Sequence, residues 1–412
     1  MMRTTVMKFG GTSMKDLKAI RSAASHVHEA VKLGKKVVVV VSAQAGETDR
    51  LMGLMNNYSQ HISHIAMDMV VSAGEQIAAG LMVQVLHDIG LKAVPLTGCQ
   101  AGIVTNNIHA NATISKIKTE NILRVSASGV IPIITGFQGI TSEGLISTLG
   151  RGGSDTSAVE LAKALGAEAY EIYTDVQGVF SLDPRLSKNA KIFTRISHLE
   201  MFEMSTLGAK VLHKRAAYAG MVSGVKLFIK QTGSSQNGTV IAGEQTFENP
   251  IEAIITSSRK STLSINQSYK THGALQELSD HGIAFYMLHS DSESHSICCI
   301  DQCDKSLAEN ILERSQLLRR ERSALSDNDL MRVSTIGNPA PAHLDSIVEM
   351  IMCHSERHKS KVSHSEIRRS GVSVTVEAEY ASILAQMLHD NLQKRPVHSM
   401  QTRTETVGCA FS

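Results

Sequence analysis

The sequence predicts an α/β fold, an open and mostly parallel sheet sandwiched by helices, followed by two ferredoxin-like α+β units. Three observations carry that expectation. Up to about Gly243, apolar β-branched runs alternate with stretches of helical periodicity, the order that builds a parallel sheet covered on both faces. Beyond Pro250 the elements shorten and the glycine-rich loops stop. There the order β-α-β-β-α occurs twice, as in ferredoxin-like folds. The expected units are 1–245, 255–328 and 329–412, in keeping with the two or three domains that 412 residues suggest. The repeat lies in element order and not in residue identity, so one irregular α+β domain is the alternative for the second half.

Each element follows in turn. "TVMKF" is a strand, and Leu17, Ile20, Ala24, Val27 and Val31 recur at helical spacing, with Gly34 as the stop. "KKVVVVVS" is continuous enough for a strand buried on both faces. "MDMVVSAGEQIAAGLMVQVLHDIG" reads as one helix ending at Gly90. "KAVPL", "VIPIITGF", "AYEIYTD" and "VKLFI" are strands, with helices around Ala158 to Leu165 and Ala209 to Ala219. In the second half, "STLSINQ", "IAFYML" and "HSICCI" are strands, with helices near Gly273 to Ser279 and Ser306 to Leu317. "MRVSTI", "KVSHS" and "GVSVTVEA" repeat the pattern, with helices near Ala342 to Met352 and Tyr380 to Leu392.

Composition narrows the function. Hydrophobic residues are 42% and charged residues 19%, as in a well-packed soluble protein. The 41 basic and 39 acidic side chains leave +2, too little to attract a nucleic-acid backbone. Aromatics are 4% and Trp is absent, which leaves no base-stacking platform. The start, "MMRTTVMKFGG", has no apolar core for a signal peptide, and no apolar run reaches the length of a bilayer span. Six cysteines (Cys99, Cys298, Cys299, Cys303, Cys353, Cys409) show no C-x-x-C pair, which favours a reduced, cytoplasmic protein. Cys298 and Cys299 are adjacent in a strand, point to opposite faces, and read as small buried hydrophobes. His354 and His358 share a helical face, expected to be solvated.

Four polar clusters follow apolar strands: "KFGGTS", "SAQAGETDR", "GRGGSD" and "YTDVQGVFSLDPR". In a parallel sheet they converge on one rim. Gly10 and Gly11 let backbone N–H groups approach an anion, and Thr12 and Ser13 precede a helix N-terminus. Lys8 adds a point charge suited to phosphate. The alternative is a tight turn with an N-cap serine. Arg151 offers a fork that binds carboxylates two bonds at a time, and Asp155 could orient a lysine; the alternative is that Ser154 only caps a helix and Arg151 is a surface charge. Thr174 and Asp175 follow a strand; Asp175 and Asp183 suit Mg²⁺ or a ribose hydroxyl, Arg185 suits phosphate, and Asp-Pro is also ordinary turn chemistry. Glu75 stands in an apolar helix, where a carboxylate needs a cation. An ammonium gripped by Glu75 and a carboxylate gripped by Arg151 describe an amino acid, and the lysine–glycine loop describes a nucleoside triphosphate.

In that order, "KFGGTS", "VVVVVSAQAGETD", "SAGEQ", "TGCQAGIVT", "GFQGIT", "TLGRGGSDTSAVELAKALGA", "YTDVQGVFSLDPR" and "GAKVLH" resemble the aspartokinases, from Met7 to Gly243. The second half resembles, on "KTHGALQELSDHGIAF", "VSHSEI" and element order, the tandem ACT domains that follow the amino acid kinase fold in that family. The resemblance implies ATP- and Mg²⁺-dependent phosphorylation of the L-aspartate side chain to 4-phospho-L-aspartate. That reaction opens the route to lysine, threonine, methionine and diaminopimelate. It implies that Lys8, Glu75 and Asp155 are catalytic, and that Ser42, Thr48, Glu75, Arg151 and Ser154 contact aspartate. Lys8, Gly10, Gly11, Thr12, Ser13, Thr174, Asp175, Phe180, Arg185 and Lys210 fall on the nucleotide side. It also implies a homo-oligomer and an amino acid effector at the ACT pair. The rivals are a glutamate or acetylglutamate kinase and an inactive ACT-type sensor. Departures from the family pattern are Phe180 for tyrosine, Leu182 for a small residue, Lys214 for proline, and Tyr286 where an aspartate is frequent. "TIGNPAPAHLDS" lacks the usual glycine-rich turn. The altered effector loops lead us to expect weak or altered feedback by lysine or threonine.

Overall fold

The computed structural model describes residues 4–59, 63–243, 249, 251–266, 268, 270–280, 283–288, 295–318 and 329–392. The first half opens with β1 (Thr4–Phe9), α1 (Leu17–Lys32) and β2 (Lys36–Val41), then α2 (Glu47–Tyr58), α3 (His64–Val71), α4 (Ala73–Asp88) and β3 (Ala93–Leu96). It continues through β4 (Ile103–Thr105), β5 (Ile114–Ile117), α5 (Glu120–Ala127), β6 (Ile131–Thr135), β7 (Gln138–Ile140), β8 (Ile146–Thr148), α6 (Gly153–Ala164) and β9 (Ala169–Thr174). It closes with β10 (Arg195–Ile196), α7 (His198–Leu207), α8 (Lys214–Ser223), β11 (Leu227–Gln231) and β12 (Thr239–Ile241).

Eight of these strands form one sheet in the order β10-β12-β11-β9-β1-β2-β6-β3, parallel except where β12 meets β11. The valine run of β2 alternates between two cores. Val38 and Val40 face α6, α7 and α8, whereas Val37, Val39 and Val41 face α1 and α4. A β-branched run is therefore buried on both faces, as the sequence suggested. Asp16 caps α1 by accepting from the Ala19 amide at 2.8 Å, and Gly34, at φ +75°, turns the chain out of it. A second sheet, β5-β4-β7-β8, lies beside the first; its three- and four-residue strands were too short to read from sequence.

Two helix expectations are corrected. The run expected as one helix divides at Ser72, whose carbonyl is taken by the Gln138 side-chain amide at 2.9 Å. Helix α8 begins at Lys214 and not at Ala209, because Gly208 at φ +112° ends α7 and His213 forms the N-cap. Taken together, His64–Asp88 are long and apolar enough to cross a bilayer by length and composition, contrary to expectation. Half of that stretch is buried within the protein, and it carries the buried Asp68 and Glu75.

The second half comprises β13 (Ala253–Thr256), β14 (Lys260–Asn266), α9 (Thr271–Asp280), β15 (Phe285–Leu288), β16 (His295–Asp301) and α10 (Lys305–Arg314). It continues with β17 (Leu330–Ile336), α11 (Pro341–Arg357), β18 (His364–Arg368), β19 (Gly371–Glu377) and α12 (Ala378–Leu392). Strand β13 pairs with β17, so the segment leading out of the first half joins the later of the two β-α-β-β-α sets. Strands β14 and β17 share a single ladder step, Lys260 with Leu330. Tyr286 nevertheless reaches Thr375 across the two sets, hydroxyl to hydroxyl at 3.0 Å, with the Arg332 guanidinium 5.2 Å above its ring. Cys298 and Cys299 are fully buried, Cys303 is exposed, and Cys409 lies outside the described residues.

One segment binds the halves together. Leu182, 1% exposed, belongs to the core built from Ile254, Val333, Val374 and Leu384. The Ser181 carbonyl accepts from the Ile254 amide at 2.7 Å, and the Ser181 hydroxyl meets His389 Nε2 at 3.0 Å.

Candidate active site

The carboxyl ends of β9, β1, β2 and β6 lie side by side, where open parallel sheets bind ligands. Lys8 stands one residue from the end of β1, largely buried, with its Nζ 2.5 Å from Asp155 Oδ1 in the first turn of α6. Gly10 lies beside that ammonium, and a Cβ there would sit at ordinary contact distance, 3.5 Å, from Nζ. Gly11 lets its backbone approach that of Ala43, whose carbonyl would be 3.0 Å from a Cβ. The Ala43 amide in turn donates to Glu75 Oε1 at 3.1 Å. Glu75 is 3% exposed, and its Oε2 has no hydrogen-bond partner. Burial pushes its carboxyl up to about 7; the Ala43 amide and the charge of Lys8 act in the opposite direction. Ser154 is buried against Gly136, where a Cβ would come within 2.7 Å, so the loop after β6 joins the cluster.

Other expected residues are placed differently. Arg151 is 60% exposed and turns to the second half, where its Nη2 donates to Asp304 Oδ1 at 2.9 Å. Ser42 and Thr48 are half-buried at the ends of β2 and α2. The Ser13 hydroxyl ties its turn to β9, meeting the Tyr173 carbonyl at 3.2 Å and Thr232 at 2.6 Å, while Thr12 is exposed. After β9 the Thr174 hydroxyl donates to Asp175 at 3.0 Å. Arg185, mostly exposed, is folded onto Asp183 at 2.6 Å, and this bond holds the Asp183 carboxyl below its ordinary range, with help from Lys210. Phe180 bridges to Ile192.

Sequence reasoning missed His213. A Cβ on Gly152 would meet its ring at 2.2 Å, so the glycine lets the loop carrying Arg151 lie flat on the imidazole. Burial lowers His213 to about 4, with Asp155 opposing and Lys214, Arg215 and Arg151 reinforcing, so the ring is neutral at pH 7. Asp304 was also missed, and nothing local marks it. Replacing it by asparagine is expected to free Arg151 at little cost to stability, roughly 0.5 kcal/mol for an exposed pair; thermal unfolding checks this.

Residues 3–231 match the family model described as the amino acid kinase family. The chain belongs to that family. It is 35% identical over 399 residues to an aspartokinase of Helicobacter pylori (strain J99), covering 93% of this chain and 98% of the relative. Within the family, therefore, the chain belongs to the aspartokinases. It is also 48% identical over 243 residues to an aspartokinase of Geobacillus stearothermophilus, an alignment that spans 60% of that relative's length. The fold matches Escherichia coli aspartokinase III in complex with aspartate and ADP, with a TM-score of 0.76, 24% identity, and coverage of 95% of this chain and 100% of that one.

Proposed function

We propose that the protein transfers the γ-phosphoryl group of ATP to the side-chain carboxylate of L-aspartate, giving 4-phospho-L-aspartate and ADP. The observation that carries this reading is the buried pair Lys8–Asp155 beside Glu75, whose second oxygen awaits a cation. An aspartate ammonium would satisfy that oxygen and the α-carboxylate would take Arg151 in place of Asp304, with Ser42, Thr48 and Ser154 alongside. The attacking carboxylate is ionised at neutral pH and needs no base. An oxygen of the side chain forms the new bond to phosphorus, and the bond to the bridging oxygen of ADP breaks. Lys8 meets the charge on the transferring oxygens, and the loop Gly10, Gly11, Thr12 and Ser13 lines the phosphate path; the Gly10 and Ser13 amides already donate to the Tyr173 and Gly10 carbonyls, which leaves the amides of Gly11 and Thr12 to meet phosphate. Thr174, Asp175, Phe180, Arg185 and Lys210 form the nucleotide end. Among the described residues no three carboxylate, histidine or cysteine side chains gather to cage a metal. Mg²⁺ therefore fits as part of the Mg–ATP substrate, carried by phosphate oxygens.

A catalytic unit over 1–245, ACT units over 255–328 and 329–412, a homo-oligomer and a cytoplasmic location go with this reading. So does an ACT pair altered as an effector site, where Tyr286 fills the space between the two strand sets.

A coupled assay of ADP release tests it. Activity is expected with aspartate and not with glutamate or acetylglutamate, and lysine or threonine is expected to inhibit only weakly. Equal rates with glutamate would overturn the substrate assignment, and strong inhibition at submillimolar lysine would overturn the effector one.

A further inference from the structure

The Arg151 side chain, among the described residues, bonds only to Asp304 in the other half, so within the first half its starting point is fixed by the backbone of its loop. Two buried groups fix that backbone from opposite sides. On one side stands Asp68 of α3, 0% exposed. Its Oδ1 accepts from the Thr148 hydroxyl at 2.5 Å, and its two oxygens accept from the Ala110 amide at 3.1 and 3.2 Å. Its Oδ2 also meets His109 Nδ1 at 2.6 Å. On the other side Arg215, at the start of α8, spreads its guanidinium over three acceptors. Nη1 donates to the Leu149 carbonyl and to Asn111 Oδ1 at 3.0 Å, and Nη2 donates to the Ala112 carbonyl at 2.8 Å.

Residues 109–112 are thus a splint against which 148–150 is laid. The Ala112 amide donates to the Thr148 carbonyl at 2.8 Å. Gly150 lies so close that a Cβ would be 3.0 Å from the Ala110 carbonyl. Ala110 itself adopts φ +64°, a left-handed conformation that persists in a residue with a Cβ only when its surroundings enforce it. The two Asp68 bonds to its amide supply that enforcement. None of these partners is Lys8, Glu75 or Asp155, so the arrangement holds the loop and takes no part in the charge cluster.

We propose that Asp68 and Arg215 are positioning residues, which clamp the 148–152 loop so that Arg151 meets the α-carboxylate of the acceptor. The proposal rests on the aspartate-kinase reading of the site. A planar fork spans three fixed acceptors where an ammonium cannot, and a misplacement of about 1 Å costs on the order of a hundredfold in an aligned reaction.

The test uses the full chain with Asp68→Asn, Arg215→Lys and Thr148→Val, combining steady-state kinetics in each substrate with amide hydrogen exchange. The KM for aspartate is expected to rise about tenfold to a hundredfold, with the KM for ATP unchanged. Exchange is expected to quicken in 109–112 and 148–152 and not in β1 or α6. A merely structural loss would shrink the active fraction, lowering apparent kcat with both KM values intact. That outcome overturns the proposal, as does unchanged exchange. Should Asp68→Asn fail to fold, Thr148→Val removes a single hydroxyl donor and carries the test. If the unmodified chain released no ADP with aspartate, the functional reading would fall. The exchange measurement would then decide on the clamp by itself.

Discussion

Replacing Lys8 by methionine is expected to lower kcat by about 10³-fold, the cost of removing one preorganised charge from a developing oxyanion. The same change has a second effect. It leaves Asp155, whose side chain is 14% exposed, without the ammonium 2.5 Å away, at a cost to stability of roughly 3 kcal/mol. The two effects separate in a double variant, Lys8→Met with Asp155→Asn. Removing both charges is expected to restore most of the melting temperature and none of the rate. Thermal unfolding beside the ADP-release assay reads both. A double variant that regained activity would show that Lys8 serves the fold alone.

Glu75→Gln is expected to abolish turnover and yet to stabilise the free protein at alkaline pH. Burial raises the Glu75 carboxyl to about 7, above its value of 4.5 in an unfolded chain. Between those values the folded state binds the proton more tightly than the unfolded state, so stability falls as pH rises from 4.5 to 7 and is flat outside that window. The span corresponds to about 3 kcal/mol. Denaturant titrations at pH 5 and pH 8 should show this loss in the unmodified protein and not in the glutamine variant. A parallel pH dependence in both proteins would place the titration elsewhere. A buried carboxylate that costs stability when ionised is what the proposed ammonium-binding role of Glu75 calls for.

Much of this site was legible in the sequence. Glycine pairs after apolar strands mark where backbone must approach closely, and Gly11 and Gly152 do so, whereas a Cβ on Gly10 would find ordinary contact distances. A lone Glu75 in an apolar helix marks an interior charge, and the same rule applied seven residues earlier would have found Asp68. What could not be read depends on long-range packing. His213 looked like an interior helical residue until Gly208 ended α7. Arg151 was expected to point at a ligand, and no local signal reveals the carboxylate 153 residues away that holds it. The four short strands of the second sheet pair across gaps that periodicity does not span. Leu182, out of keeping with the family pattern by sequence, is explained by the core it enters.

Leu182 also bears on how the chain can be dissected. A fragment cut after Gly243 would retain every strand of the parallel sheet, yet lose Ile254, Val333 and Val374 from the cluster that encloses this leucine. It would lose His389 opposite Ser181 as well. The hairpin presenting Asp183 and Arg185 would then hang from one end with an oily knob bared to water. Excision would loosen the segment that the proposed function assigns to the nucleotide, so on that reading the tail half is a buttress for catalysis even with no effector in solution.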